Sequence, residues 1–497
     1  MKKIIITLSI LLQINAFAQN ETFNIVNSGA KGDSSTVNTA AIQNSINECS
    51  ESGGGTVIIP PGKFITGTIV MKNNVELHFE HNATLIASIE HDDFPLQPLP
   101  AYRSHKDQLG GFYALIYAEG ANNISITGHG TIDGRGKYQK PRPNPKAGDI
   151  DGRPRNILFI SCKNIHITGI TMRNSGVWNQ HYLNCEDVMI DNINVYNHSN
   201  RNNDGIDIDG CRRVVLSNSI LDSDDDCITL KSTGAAPCED IVITNCIASS
   251  FCNAIKCGTE SSGGFRNISI SNCVIKPSRS EEKPMFNTPE TGITGLSFMI
   301  VDGGTLEGVT VNNITIYGTM SPLYIRLGNR ARKYTKGVDK PDVGIVKNIS
   351  ISNVVAYGTG TWGASITGIP DHPVKNISLN NIQFFSKGGV KEQGFNKTVS
   401  EDETGYPQPS VWNNLPAYGL YIRHAENISV NNMMIGTDSA DVRVPIMVED
   451  VSGLKITGTS LASPVNNKPF VVAKSMKNYD IGKPLGWRGD KMIKQKR

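Results

Sequence analysis

Aromatic residues make up only 7% and charged residues 19% of this 497-residue chain, so neither an aromatic-rich core nor a long solvated charge run accounts for its length. Neither sign of charge dominates. Lys and Arg number 48 against 46 Asp and Glu, which argues against a nucleic-acid surface; an acidic partner would have to be gripped by a local cluster. The ten cysteines include no Cys-x-x-Cys pair, so no metal site is expected. No glycine-rich loop follows a strand and opens a helix, which leaves no nucleotide site and no cofactor to predict. Beyond the first residues no apolar run approaches the length of a membrane span.

The first residues carry an apolar run too short to span a bilayer comfortably. Met1-Lys2-Lys3, the apolar stretch Ile4 to Leu12, and Ala16-Phe17-Ala18 before Gln19 have the order of a secretory signal peptide over residues 1–18. Its loss removes two lysines and no acid, taking the formal charge from +2 to zero. An exported protein, periplasmic or secreted, is expected.

Such a length would ordinarily suggest several domains, but internal repeats change that expectation. A unit Asn-Ile-x-Ile-x-Asn recurs, with its first apolar residue at Ile124, Ile165, Val188, Val214, Ile241, Ile268, Val309, Ile349, Ile377, Ile428 and Leu454. The usual interval of 23 to 28 residues suits three short strands and three turns per coil. Alternation of apolar and polar residues within each unit is the period of a half-buried strand. The expected fold is all-β, a single-stranded right-handed parallel β-helix over residues 19–497, with a cap region at 19–95 and coils at 120–460. Asn245, Asn272, Asn313, Asn353, Asn381 and Asn432 recur at one register, as stacked amides or left-handed turns would require.

Longer intervals, from 268 to 309, 309 to 349 and 377 to 428, predict loops leaving the coil, of the kind that shapes a cleft. Asn38 followed by helical periodicity through Ile46 and ending at Gly53-Gly54-Gly55 predicts a short helix; it would cover the open end of the stack, where strand edges lie bare. Nine of the cysteines fall between Cys162 and Cys273, beside repeat residues. They suit stacked buried thiols, with disulfides as the alternative.

The acids are the chemical signal. Asp204 in Asn202-Asn203-Asp204-Gly205 and Asp225-Asp226-Cys227 lie about one coil apart. Equivalent positions of neighbouring coils stack at about 4.8 Å, so three carboxylates can converge on one outer face. Such a cluster points to glycosidic chemistry. Inversion needs carboxyl groups roughly 6.5–9.5 Å apart, and crowded acids keep one another protonated. Asp207 and Asp209 alternate on the following strand, as structural or substrate-facing acids.

The segment around Gly29-Ala30-Lys31-Gly32-Asp33 and Gly53-Gly54-Gly55-Thr56 resembles the amino-terminal cap of pectin-active β-helix proteins. The series Asn202-Asn203-Asp204-Gly205, Asp225-Asp226-Cys227 and Gly258-Thr259-Glu260-Ser261 is similar to the motifs of glycoside hydrolase family 28, exported bacterial members included, from about residue 23 to 460. The resemblance implies inverting hydrolysis, with Asp225 as general acid and Asp204 and Asp226 activating water.

Two motifs depart from that pattern. The family's Gly-His-Gly corresponds to Cys252-Asn253-Ala254, so an amide replaces an imidazole and cannot become positive. The family's Arg-Ile-Lys, which grips a galacturonate carboxylate, falls on Ser297-Phe298-Met299, so both cations are missing. Lys231, Lys256, Arg326 and Arg330 are the candidate replacements; Lys231 and Lys256 are expected to stack on one face. Asn202, Asn253, Lys231, Lys256 and Arg326 are the predicted substrate ligands, while Trp178, Trp362, Trp412, Tyr418, Arg423 and His424 are either cleft-lining or packed residues.

The expected function is therefore an exported inverting glycosidase acting on a pectic or related acidic polysaccharide or oligosaccharide. Loss of the Arg-Lys pair shifts the expectation toward rhamnogalacturonan or rhamnose-capped chains. The alternatives are an inactive carbohydrate-binding β-helix and a polysaccharide lyase. Nothing in the sequence fixes an oligomeric state.

Overall fold

The computed structural model describes residues 21–105, 112–141, 152–286, 288–392, 394–466, 468–489 and 491–495; the leader predicted at 1–18 lies outside them. Among the described residues the strands pair in parallel ladders from coil to coil, giving a right-handed parallel β-helix. The apolar repeat positions form its inner register. Ile124, Ile165, Val188, Val214, Ile241, Ile268, Val309, Ile349, Ile377, Ile428 and Leu454 each face the next, and none is more than 3% exposed. Burying each such side chain contributes about 1.5–3 kcal/mol, which is what makes a repeat with few aromatics sufficient.

The recurrent asparagines do both things expected of them. Asn245, Asn272, Asn313, Asn353, Asn381 and Asn432 have φ between 52° and 56°, the left-handed region that Asn tolerates better than other side chains. Their amides also stack: Asn381 Nδ2 donates to Asn353 Oδ1 at 3.0 Å and Asn432 Nδ2 to Asn381 Oδ1 at 2.8 Å. A second amide row follows the other end of the same strand, with Asn123 donating to Asn74 and Asn164 to Asn123, each at 2.8 Å.

A helix at Thr39–Glu51 covers the first strands, burying Ile42, Ser45, Ile46 and Cys49 on one face. Asn38 precedes it but makes no side-chain cap. Its amide instead ties Lys31, Thr36 and Ile65 together. All ten cysteines are free thiols. Cys162, Cys185, Cys211 and Cys238 occupy one interior row, each just before the paired residues Lys163, Glu186, Arg212 and Glu239.

The long intervals do carry loops. The spacing from Ile124 to Ile165 is as long as that from Ile268 to Val309, which the repeat reading passed over. The last of the loops, an outer one after Gly388, is bound down onto the coils. Arg326 donates to the carbonyls of Glu401 and Asp402 and Arg423 to those of Val399 and Ser400, while Trp412 Nε1 donates to Ser400 O within the loop.

Candidate active site

Ile206, Ile228 and Ile255, which face the core, are in register. Two residues upstream, the same alignment brings Asp204, Asp226 and Asn253 into line across three coils. Backbone bonds extend the pairing there: Gly205 N donates to Asp226 O and Cys227 N to Asn253 O, each at 2.9 Å. Gly205 is required for this approach, since a Cβ would stand 2.6 Å from Cys227 O. Asp225 sits beside the row, half-buried, while Asp204 and Asp226 are 2% and 3% exposed.

The three carboxyls have different surroundings. Asp226 receives Lys256 Nζ at 2.5 Å and Asn253 Nδ2 at 2.6 Å. Burial works to raise its pKa, but Lys256, Lys231 and these hydrogen bonds hold it below the usual carboxylate range. Among the described residues, no cation pairs with Asp225. Burial and then the charge of Asp226 push it up to about 6, against Lys256 and Lys231. Asp204 is driven well above its ordinary value by burial, then by Asp207 and Asp225, although Lys231 pulls the other way from 3.9 Å. Its Oδ1 is buried without a hydrogen-bond partner. The site thus holds one carboxylate fixed as an anion and two carboxyls that resist ionisation, the separation that acid–base cleavage of a glycosidic bond needs.

Lys231 and Lys256 share this face but do not stack on each other. Lys231 lies opposite Asp209 and Lys256 opposite Thr229, two residues out of step, because the coils differ in length. Lys231 is 4% exposed and lies 3.5 Å from Asp207, 3.6 Å from Glu260 and 4.7 Å from the Trp178 ring centroid. Burial disfavours its charge, yet Glu260, Asp207 and Asp204 raise its pKa. Ser297 does lie beside Lys256 in register. It hydrogen-bonds Thr294 at 2.7 Å rather than supplying a charge.

Other predicted ligands are engaged elsewhere. Arg326, 2% exposed, is held by three backbone carbonyls and lies 5.0 Å from the Trp412 ring centroid; it anchors a loop. Arg330 is paired with Asp302 at 2.5 Å. Asn202 takes a left-handed turn with φ 55° and accepts from Arg153 at 3.4 Å. Asp209 accepts from Thr233 N at 2.8 Å and pairs with His181 at 3.0 Å, a structural role. Asp224 accepts from Met285 N at 3.0 Å and pins the loop after Lys276. Trp412 and Tyr418 are packed residues, 5% and 6% exposed. Arg423 and His424 both pair with Glu401 of the outer loop.

Sequence reasoning missed Glu260 as the third partner of Lys231, though it stands within the third motif. It also missed Cys252 as a neighbour of the acids. The thiol and the carboxylates of Asp225 and Asp226 have ligand atoms within 4.8 Å of one another. A metal ion is disfavoured there, because the Lys256 ammonium at Asp226 already fills the cation's place.

A model of glycosyl hydrolases family 28 matches residues 49–388, which contain all three acids. A probable polygalacturonase of Vitis vinifera is 28% identical over 404 residues, 80% of this chain and 81% of that protein. An exopolygalacturonase of Zea mays is 26% identical over 214 residues, 42% of this chain and 48% of its own length. Among solved structures, the hyperthermoactive exopolygalacturonase of Thermotoga maritima shares the fold with a TM-score of 0.61 at 22% identity, over 83% of this chain and 92% of that one.

Proposed function

Because the chain belongs to glycosyl hydrolases family 28 and is a polygalacturonase-like, pectin-degrading glycosidase, we propose that it inverts the anomeric centre while cleaving rhamnogalacturonan or rhamnose-bearing pectic chains. In this reading Asp225 protonates the leaving oxygen. Asp226, kept anionic by Lys256 and Asn253, takes a proton from the attacking water. Asp204, with Lys231 at 3.9 Å, holds that water in place beside Asp226.

The observation that carries the reading is the contrast between Asp225, pushed up to about 6, and Asp226, held low by a lysine in contact with it. A shared environment would leave both in one state and provide no acid and base together. The substrate preference is supported by Ser297 and Met299, uncharged where the family's carboxylate-gripping pair stands.

Incubation with homogalacturonan, rhamnogalacturonan and rhamnose-capped oligosaccharides tests this. Rhamnose or rhamnogalacturonan fragments are expected from the wild type and not from Asp225→Asn; release of galacturonate alone would contradict the preference. We further propose export through the leader at 1–18, to the periplasm or the medium. Amino-terminal sequencing of mature protein should begin at Gln19, and an intact Met1 would refute it.

A further inference from the structure

A guanidinium outside all three motifs stands in line with the acids with donors left over. Arg155 opens the strand Arg155–Ile160. The pairing of Ile157 with Gln180 sets Arg155 opposite Trp178, and the pairing of His181 with Asp207 sets Trp178 opposite Asp204. Arg155, Trp178, Asp204, Asp226 and Asn253 therefore form one row across five coils, with Arg155 two coils from the first acid. Its Cζ lies 5.4 Å from the Trp178 ring centroid.

Arg155 is 1% exposed, yet Nε and Nη1 have no hydrogen-bond partner. It forms no ion pair among the described residues; burial lowers its pKa to about 10, against the charges of Asp207, Asp209 and Asp204. Buried guanidinium donors are nearly always satisfied, because each unmet one carries a desolvation penalty. An arginine kept in this condition at the end of a catalytic row is prepared for a group that arrives later. Its fork of donors matches a carboxylate.

The other side of the acids is different. Lys256 is bound to Asp226, Arg330 to Asp302, and Arg326 to loop carbonyls. Ser297 and Met299 carry no charge. The face is thus asymmetric about the scissile position.

We propose that Arg155, backed by Trp178, binds the carboxylate of a uronic acid on the amino-terminal side of the catalytic acids, while the sugar on the other side is neutral. The site is then selective for a glycan in which uronic acid and neutral sugar adjoin. This rests on the family reading of the same site and deepens it.

The test measures binding apart from turnover. Protein carrying Asp225→Asn is titrated with rhamnogalacturonan oligosaccharides and with the same oligosaccharides after reduction of their carboxyls to alcohols. Reduction should weaken binding at least about tenfold, the size expected for a charge-assisted pair. In Asp225→Asn/Arg155→Gln the native ligand should bind no better than the reduced one, and Arg155→Lys should recover part of the difference. Thermal melts and binding of the reduced ligand show whether the variants are folded. Equal affinity for both ligands in the Asp225→Asn protein, or an unchanged preference in the Arg155→Gln variant, overturns the clamp. Failure of the family reading would show separately, as hydrolysis undiminished by Asp225→Asn.

Discussion

The same outward row of this β-helix has two chemistries. From coil to coil it runs through His181, Asp207, Thr229, Lys256 and Ser297, then through Tyr324, Ser365, Tyr421, Met447 and Val472. The backbone is continuous across the change. In the first half, buried carboxylates and ammonium groups meet one another; in the second, Tyr324, Tyr421, Met447 and Val472 join Trp412, Leu415 and Val399 in an apolar cluster under the outer loop. The scaffold therefore permits either an apolar, covered face or a charged one. On this row, charged side chains stand only beside the acids. Such desolvated ions are a burden on stability, and their retention in the first half is consistent with the catalytic role proposed for it.

Making the first half resemble the second is the most direct way to break that contrast. Asp225→Asn should lower kcat by about 10²–10⁴-fold, the range for loss of a general acid, measured by initial rates on the cleaved glycan. Lys256→Met removes the counter-charge of Asp226 and should lower activity by about 10–100-fold, as loss of a buried charge partner does. Both Asp226 and Asp225 would then hold protons more strongly, so the pH–activity curve should move upward on its acid side. An acid limb that stays in place would show that Lys256 does not set the base.

Disturbing the covered half should affect folding rather than chemistry. Trp412→Ala should destabilise the protein by about 3–5 kcal/mol with little change in kcat at temperatures where it is folded, read by melting and by initial rates. A large loss of kcat at full folding would place the outer loop within the chemistry.

The smallest effect concerns pH. Asp225 is raised in the folded state to about 6 from 3.8, so folding binds its proton more tightly. Its favourable contribution is full below the unfolded value and is lost as pH rises through about 6. Asp225→Asn should thus be more stable than the wild type at pH 8, by about 1–2 kcal/mol, with the difference fading toward pH 4. Wild-type activity should decline above about pH 6 as the acid ionises.

Much of this was legible in the sequence. The coil positions could be read because inner-facing residues repeat with the coil, and one buried row ties each of them to the next. The acids could be read because they stand within motifs about one coil apart. What each cation does was harder to read, since its partner comes from another coil or a distant loop. Lys231 is joined to Glu260 and Arg326 to Glu401 and Asp402. Arg155 escaped notice because its meaning lies in the register that sets it in line with Trp178 and Asp204, and that register depends on unequal coil lengths. The asparagines were read as stacked amides or left-handed turns, and the structure has both, because backbone turn and amide stacking recur with the same period.

The central claim is that Asp225 gives the proton and Asp226, with Asp204, directs a water to the opposite face of the sugar. Proton NMR of a rhamnogalacturonan oligosaccharide during the first minutes of hydrolysis tests it most directly. The account predicts that the newly formed reducing end appears first as the anomer opposite to that of the cleaved bond, and that no product forms with Asp225→Asn. First appearance of the same anomer, or hydrolysis by Asp225→Asn at the wild-type rate, would contradict it.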